Sequence, residues 1–357
     1  MFRFTRASIA ILFVITLSSC LAWTTDQSGN LQSVGLPGVP VWTAQKPEVT
    51  PRTQGLDTNP ESDADWLTEL NKWREMAGTR PVGENSNLSH GCQLHAEYLA
   101  DQIPADGADL TRFAMAMGAD AHRESSGQEG YSEEGAQAAG GGRHVQGVLQ
   151  AADVSWGQAD GKEDIDGLLV VPFHRLSLLA PWAKVAGFGR AGTPPRSAAA
   201  VALRGPQADA SVAGEVSFPP PGSTVPIPVM NDVEWPNPLA SCPGYRTPVG
   251  LPVTVQLGKG HRAELSSHSF SDETDGVKLK SCAFDADSYR NSDPSQFKAA
   301  TEALKGFGAV ILIPRAPLEP GHTYRVTLNI NGANDSWTFK VRGNAPAVQA
   351  NMPSSAP

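Results

Sequence analysis

The spacing of apolar residues changes character once along the chain, near residue 206, and this limits the fold more than any other feature. Before that point Trp66, Leu70, Trp73 and Met76 recur on one helical stripe that Gly78 closes. Beyond it helical signals almost vanish. Alternating or apolar runs take over at Val253–Leu257, Val277–Lys280, Ala309–Ile313, Tyr324–Ile330 and Trp337–Val341, separated by Pro- and Gly-rich turns. The two periods require different layers, so the expected class is α+β: a helix-rich part that also holds paired strands, then an all-β sandwich. Gln296–Lys305 is the exception, expected as one or two helical turns.

The chain has 357 residues, enough for two cores plus extensions. Residues 1–19 read as a signal peptide: Arg3 and Arg6 precede the apolar run Ile9–Ile15, which is too short to span a bilayer. Leu17-Ser18-Ser19-Cys20 resembles the bacterial lipobox, in which the cysteine becomes the lipidated first residue of the mature chain. The expected location is therefore the cell envelope, with a lipid anchor at Cys20 holding the protein to a membrane. Residues 20–60, rich in Pro, Gly, Thr, Ser and Gln, read as a disordered tether. The first domain is expected over 61–205, a linker over 206–218, the sandwich over 219–343 and a disordered tail over 344–357.

The formal charge is −9, and removing residues 1–19, with two arginines and no acids, takes it to −11. Such acidity argues against nucleic acid as a partner, because phosphate binding needs a basic surface. An oxidising compartment would let Cys242 and Cys282 pair, leaving Cys92 as a small buried apolar residue. No CxxC or His-Cys cluster suggests structural zinc.

In the first part, Ser89 is expected to cap a second helix with the stripe Cys92, Ala96, Leu99 and Ile103, and with His90 and His95 nearby. Residues 104–145 read as a long, functional loop with short helical turns. Gly140-Gly141-Gly142-Arg143 has no preceding strand and no following Lys-Ser/Thr, so it reads as flexible loop and not as a phosphate cradle. Val145–Trp156 fits a helix, and Trp182–Gly189 and Ser197–Leu203 fit two buried strands. Val170–Leu179 is an apolar run broken only by His174-Arg175, with Pro172 expected to open a short helix. An imidazole in such a run needs partners, and His122, Glu124, Glu133 and Glu134 lie upstream to supply them.

Leu70-Asn71-Lys72-Trp73-Arg74 with Ala77-Gly78, Leu88-Ser89 through Leu99, and Pro172-Phe173-His174-Arg175 followed by Gly187-Phe188-Gly189 together resemble the CAP superfamily in its bacterial SCP-like form. The resemblance covers roughly 61–205 and implies an α-β-α sandwich. It also implies a cleft of two histidines and two acids, in some members a divalent-metal site. Carried over, the histidines are His122 and His174, both candidate metal ligands for Zn²⁺ or another divalent ion. The family's Gly-Glu-Asn acid aligns with Glu134, although Glu133 stands in place of the Gly and Gly135 in place of the Asn, so Glu133 and Glu134 both stay candidates. Glu124 is the fourth member by its closeness to His122. Pro317–Tyr324 leading into Val326-Thr327-Leu328 resembles a bacterial Ig-like domain, in which Trp337 is expected to be core.

The expected role is binding of lipid, wall glycan or an envelope protein through the His122, Glu124, Glu134 and His174 cleft. A metal-assisted hydrolase with Glu134 as base, or a structural spacer with a vestigial cleft, are the alternatives. No His-Glu-x-x-His or Gly-x-Ser-x-Gly is present and no serine is tied to these histidines, which favours binding over catalysis.

Overall fold

A computed structural model describes residues 65–105, 109–140, 151–205, 215–258 and 260–343, together with the backbone of the strand pairs Trp23–Thr25/Leu31–Ser33 and His144–Val145/Val148–Leu149. Cys20, the 20–60 tether and the 344–357 tail lie outside the described residues apart from the first of these pairs. Residues from Gly55 onward form one compact unit of mixed α and β structure, and the Trp23–Thr25 pair belongs to the other, N-terminal unit.

Helix α1 (Asp65–Met76) is followed by the short strand β1 (Gly83–Glu84) and α2 (Ser86–Asp101). Next come α3 (Leu110–Met117), a 3-10 turn at Gly118–His122, α4 (Glu133–Ala139), β2 (Asp153–Trp156), α5 (Gly161–Val170) and α6 (Pro172–Leu178). The hairpin β3 (Val185–Thr193) and β4 (Arg196–Arg204) completes a four-stranded sheet in the order β1-β3-β4-β2. Along its two central strands the faces alternate. Ala186, Phe188, Ala199, Val201 and Leu203 pack with Trp66, Leu70 and Trp73 of α1 and Ile165 and Leu168 of α5. Ala200 and Ala202, on the opposite face, pack with Cys92 of α2 and Ala138 of α4.

Small residues let α2 lie almost on the sheet. A Cβ on Gly187 would sit 2.5 Å from the carbonyl carbon of Leu88, and one on Gly189 would sit 2.0 Å from the backbone nitrogen of Gln93. On its outer side α2 meets α4 as closely, since a Cβ on Gly91 would fall 2.9 Å from the Glu134 carbonyl oxygen.

Two elements differ from their expected form. The α2 cap is Asn85, whose Oδ1 accepts from the Leu88 N–H at 2.9 Å, while Ser89 donates its hydroxyl to Glu84. The apolar stripe begins late, so the helix starts in a polar turn ahead of it. Within Val145–Trp156 the described residues are strands and not a helix, and Asp153–Trp156 pairs antiparallel with β4. Here sheet pairing overrides a weak helical spacing of β-branched residues.

The second part begins at β5 (Val216–Phe218), inside the stretch expected as linker. It continues with β6 (Thr224–Val225), β7 (Val229–Met230), β8 (Val249–Gly250), β9 (Val253–Gln256), β10 (Leu265–Asp272), β11 (Val277–Leu279) and β12 (Ser281–Phe284). Then follow α7 (Pro294–Phe307), β13 (Ala309–Pro314), β14 (Thr323–Ile330) and β15 (Ala333–Val341). The strands form a sheet β12-β13-β9-β5 and a sheet β6-β15-β14-β10-β11, with β7 pairing β8. Val253, Val255, Val310 and Leu312 of the first sheet share a core with Phe270, Tyr324, Trp337 and Phe339 of the second. Helix α7 is longer than expected because Asp293 caps it, Pro294 occupies its first turn and Gly308 ends it in the left-handed conformation. Cys242 and Cys282 are joined by a disulfide, and Cys92 is free and buried. Burial pushes the Cys92 thiol up to about 12, which leaves it an apolar filler.

The two parts share one core. Trp73 meets Phe218 edge-on at 5.9 Å between centroids, and the Arg175 guanidinium lies 4.6 Å over the same Phe218 ring. Arg74 and Arg175 are both fully buried and act as staples. Arg74 donates to the carbonyls of Arg80, Leu178 and Ala180, and Arg175 to those of Leu169, Val170 and, across the two parts, Pro252. Burial lowers Arg74 to about 10 and Arg175 to about 9, so both remain charged at neutral pH.

Candidate functional site

Pro172 does what a proline at a helix start can do, and the turn it opens holds His174 largely buried, its side chain 14% exposed, between buried neighbours. No side chain of α6 or of its own N-cap residue Val171 satisfies the first N–H groups. Glu234, sixty residues on and in the segment between β7 and β8, does so instead. Its carboxylate accepts from the Phe173 N–H at 2.7 Å and the His174 N–H at 2.9 Å. The same carboxylate lies 3.1 Å from His174 Nδ1, at ion-pair range but out of line for a hydrogen bond, so Nδ1 is buried without a hydrogen-bonding partner.

His122 ends the 3-10 turn. Its Nδ1 donates to the Ala152 carbonyl at 2.8 Å, which assigns the proton to Nδ1 and leaves the Nε2 lone pair available. The Trp235 indole lies 6.4 Å from this imidazole between centroids and covers Gly118, where a Cβ would stand 3.0 Å from the indole nitrogen. Asp153, the first residue of β2, is 7% exposed, and its Oδ2 has no partner.

The electrostatics of these groups are coupled. Burial, reinforced by the charge of His174, lowers His122 to about 4, so it is neutral at neutral pH. For His174 burial opposes the charge, but the neighbouring Glu234 and Asp153 carboxylates overcome it and the pKa is raised. Burial raises Asp153 to about 7 against the pull of His174 and a hydrogen bond from Ser177. His122 is thus a neutral acceptor, His174 is biased toward its protonated form by two carboxylates, and Asp153 titrates near neutrality.

Of the residues singled out in the sequence, His122 and His174 come within electrostatic reach of each other. The side chain of Glu124 is fully buried but faces His95: its Oε1 lies 3.1 Å from His95 Nδ1, and its Oε2 accepts from the Ser132 N–H. His95 Nε2 in turn donates to the Ala121 carbonyl at 2.9 Å, so this pair braces the turn that carries His122. Glu133 and Glu134 lie exposed in the first turn of α4, where Ser132 is the cap. The acids beside His174 are Glu234 and Asp153, neither anticipated. Asp153 was hidden by the helical reading of its segment. Glu234-Trp235-Pro236 carries no local signal of its role, because its partners come from another part of the chain.

Asp153→Asn is expected to stabilise the protein above neutral pH. A carboxyl raised from 3.8 to about 7 keeps its proton longer when folded, so wild-type stability falls as pH rises between those values and the full penalty stands above about 7. The asparagine variant should exceed wild type by roughly 2 to 4 kcal/mol at pH 8 and be nearly equal below pH 4. Asp164, raised to about 7 by burial despite Arg190 and Ser155, adds the same slope to both proteins and cancels in the difference. Urea unfolding of the two proteins across pH measures this; equal midpoints at pH 8 would contradict it.

No family model and no curated protein matches the chain. Among the described residues, His122 and His174 are not joined by a third donor at metal-ligand spacing, the one such set being Asp272, Asp275 and His322. No helix among the described residues is long and apolar enough to cross a membrane.

Proposed function

We propose that this chain is an exported binding module of the bacterial cell envelope, anchored by lipid at Cys20 and built as a CAP-type domain followed by an Ig-like sandwich. Its ligand is a hydroxyl-rich envelope molecule, a wall glycan, held at His122, Asp153, His174 and Glu234. The observation that carries this reading is a pair of buried polar atoms in one cluster that make no hydrogen bond, Asp153 Oδ2 and His174 Nδ1, the latter held only by the ion pair to Glu234. Buried polar groups are almost always satisfied, and each orphan costs about 1 to 3 kcal/mol, so two neighbouring ones mark a place where a ligand completes the set. A hydroxyl group both donates to a carboxylate and accepts from a ring N–H, which matches these two atoms; an acyl chain matches neither. No observation favours the hydrolase reading with Glu134 as base, because Glu134 lies exposed on α4.

Soluble peptidoglycan fragments titrated into the full chain should move the His174 ring resonances, and Asp153→Asn should weaken binding about tenfold, near 1.4 kcal/mol. Fragments that leave these resonances unmoved, or an asparagine variant that binds as wild type does, would overturn the site. Anionic phospholipid vesicles that compete for the same resonances would assign the site to lipid instead. Membrane retention of a Cys20→Ser protein would overturn the anchor independently.

A further inference from the structure

A second set of ionisable side chains gathers where β10 ends and β14 begins. Asp272, Asp275 and His322 place one ligand atom each within 4.8 Å of the others. The geometry points to a binding site for a borderline divalent cation of the Zn²⁺ type at these three residues, in the β part and independent of the histidine cleft.

An acidic turn alone would be ordinary solvated surface, and it is the imidazole that changes its chemistry. Nitrogen and carboxylate oxygen together suit Zn²⁺ and its first-row neighbours, whereas Ca²⁺ and Mg²⁺ take oxygen donors. The donors are also held in advance. Asp272 is the last residue of β10 and 4% exposed; its Oδ1 accepts from the Thr274 N–H at 2.8 Å and the Asp275 N–H at 3.3 Å, which aims Oδ2 at His322 Nδ1, 2.7 Å away. The His322 ring stacks on Tyr324 at 6.4 Å, and its backbone is bonded to Glu319 and Val341. Asp275 Oδ2 lies 4.0 Å from the same nitrogen on a side chain 60% exposed, which leaves an open side for an ion to enter.

Two carboxylates face one imidazole here, and Glu319 adds a further negative charge nearby. On binding, the ion takes the Nδ1 lone pair, the proton shared with Asp272 passes to solvent, and the nitrogen and oxygen part from 2.7 Å to about 3.3 Å, the separation of two ligands about 2 Å from a tetrahedral ion. Three protein donors leave the fourth position to water or to a group on a partner.

Calorimetric titration of the full chain with Zn²⁺ near neutral pH tests this. The expected result is one equivalent bound, lost in His322→Ala, weakened about tenfold or more in Asp275→Asn, and kept in His174→Ala. Asp275 is an exposed turn residue, so its variant reports on binding even if the histidine variant folds poorly. No uptake by the wild type at up to millimolar Zn²⁺, unchanged binding in both site variants, or loss of binding in His174→Ala would each overturn the assignment.

Discussion

Replacing Arg175 with alanine is expected to cost about 3 to 5 kcal/mol, a large share of the 5 to 15 kcal/mol that holds a typical domain together. The side chain is fully buried, and its guanidinium spans the Leu169, Val170 and Pro252 carbonyls while covering the Phe218 ring. Truncation leaves the buried Leu169 and Pro252 carbonyls and the half-buried Val170 carbonyl without this donor and opens a void between the two parts of the molecule. Lysine is not a substitute, because one ammonium on a flexible stem cannot reproduce a planar fork that serves three carbonyls and a ring. Arg175→Lys should therefore recover less than half of the loss. Chemical denaturation followed by circular dichroism and by tryptophan fluorescence gives the values, and a loss under 1 kcal/mol for Arg175→Ala would show that the staple is not what joins the parts.

Gly189→Ala should be about as damaging, at roughly 3 kcal/mol or more, for a steric reason. The new methyl group would stand 2.0 Å from the Gln93 backbone nitrogen and 2.2 Å from its Cα, and neither can move without shifting the whole of α2. Gln93 also ties the two elements: its Oε1 accepts from the Arg190 N–H, and its Nε2 donates to the Arg190 carbonyl. Lifting α2 would break both bonds and disturb His95, and through Glu124 and Ala121 the turn that carries His122. A smaller loss at Gly83→Ala, where no atom lies within 4 Å of the added carbon, serves as the internal comparison. If the two alanine variants unfold at the same urea concentration, the close approach of α2 does not constrain the fold.

Much of this protein is decided by sequence alone, for reasons that are local. The α1 stripe, the proline-opened turn at His174, the β3–β4 hairpin and, in the second part, β9, β11, β13, β14 and β15 follow from hydrophobic period and from proline and glycine placement, and these act over a few residues. Other features depend on residues far apart in the chain. Asp153 could be read as helical until β4 paired with its segment, and Ser89 passed for a cap until Asn85 took the role. Glu124 was a candidate by closeness to His122 and Glu134 by its place in the family motif, and packing turned the first toward His95 and left the second in solvent. Above all, the carboxylate at His174 is Glu234, delivered from the β part across sixty residues of chain. A histidine advertises its need for a partner in sequence, but which acid meets it is settled only when two separately patterned halves close over one core, because the bond is short-ranged and the chain between them is long.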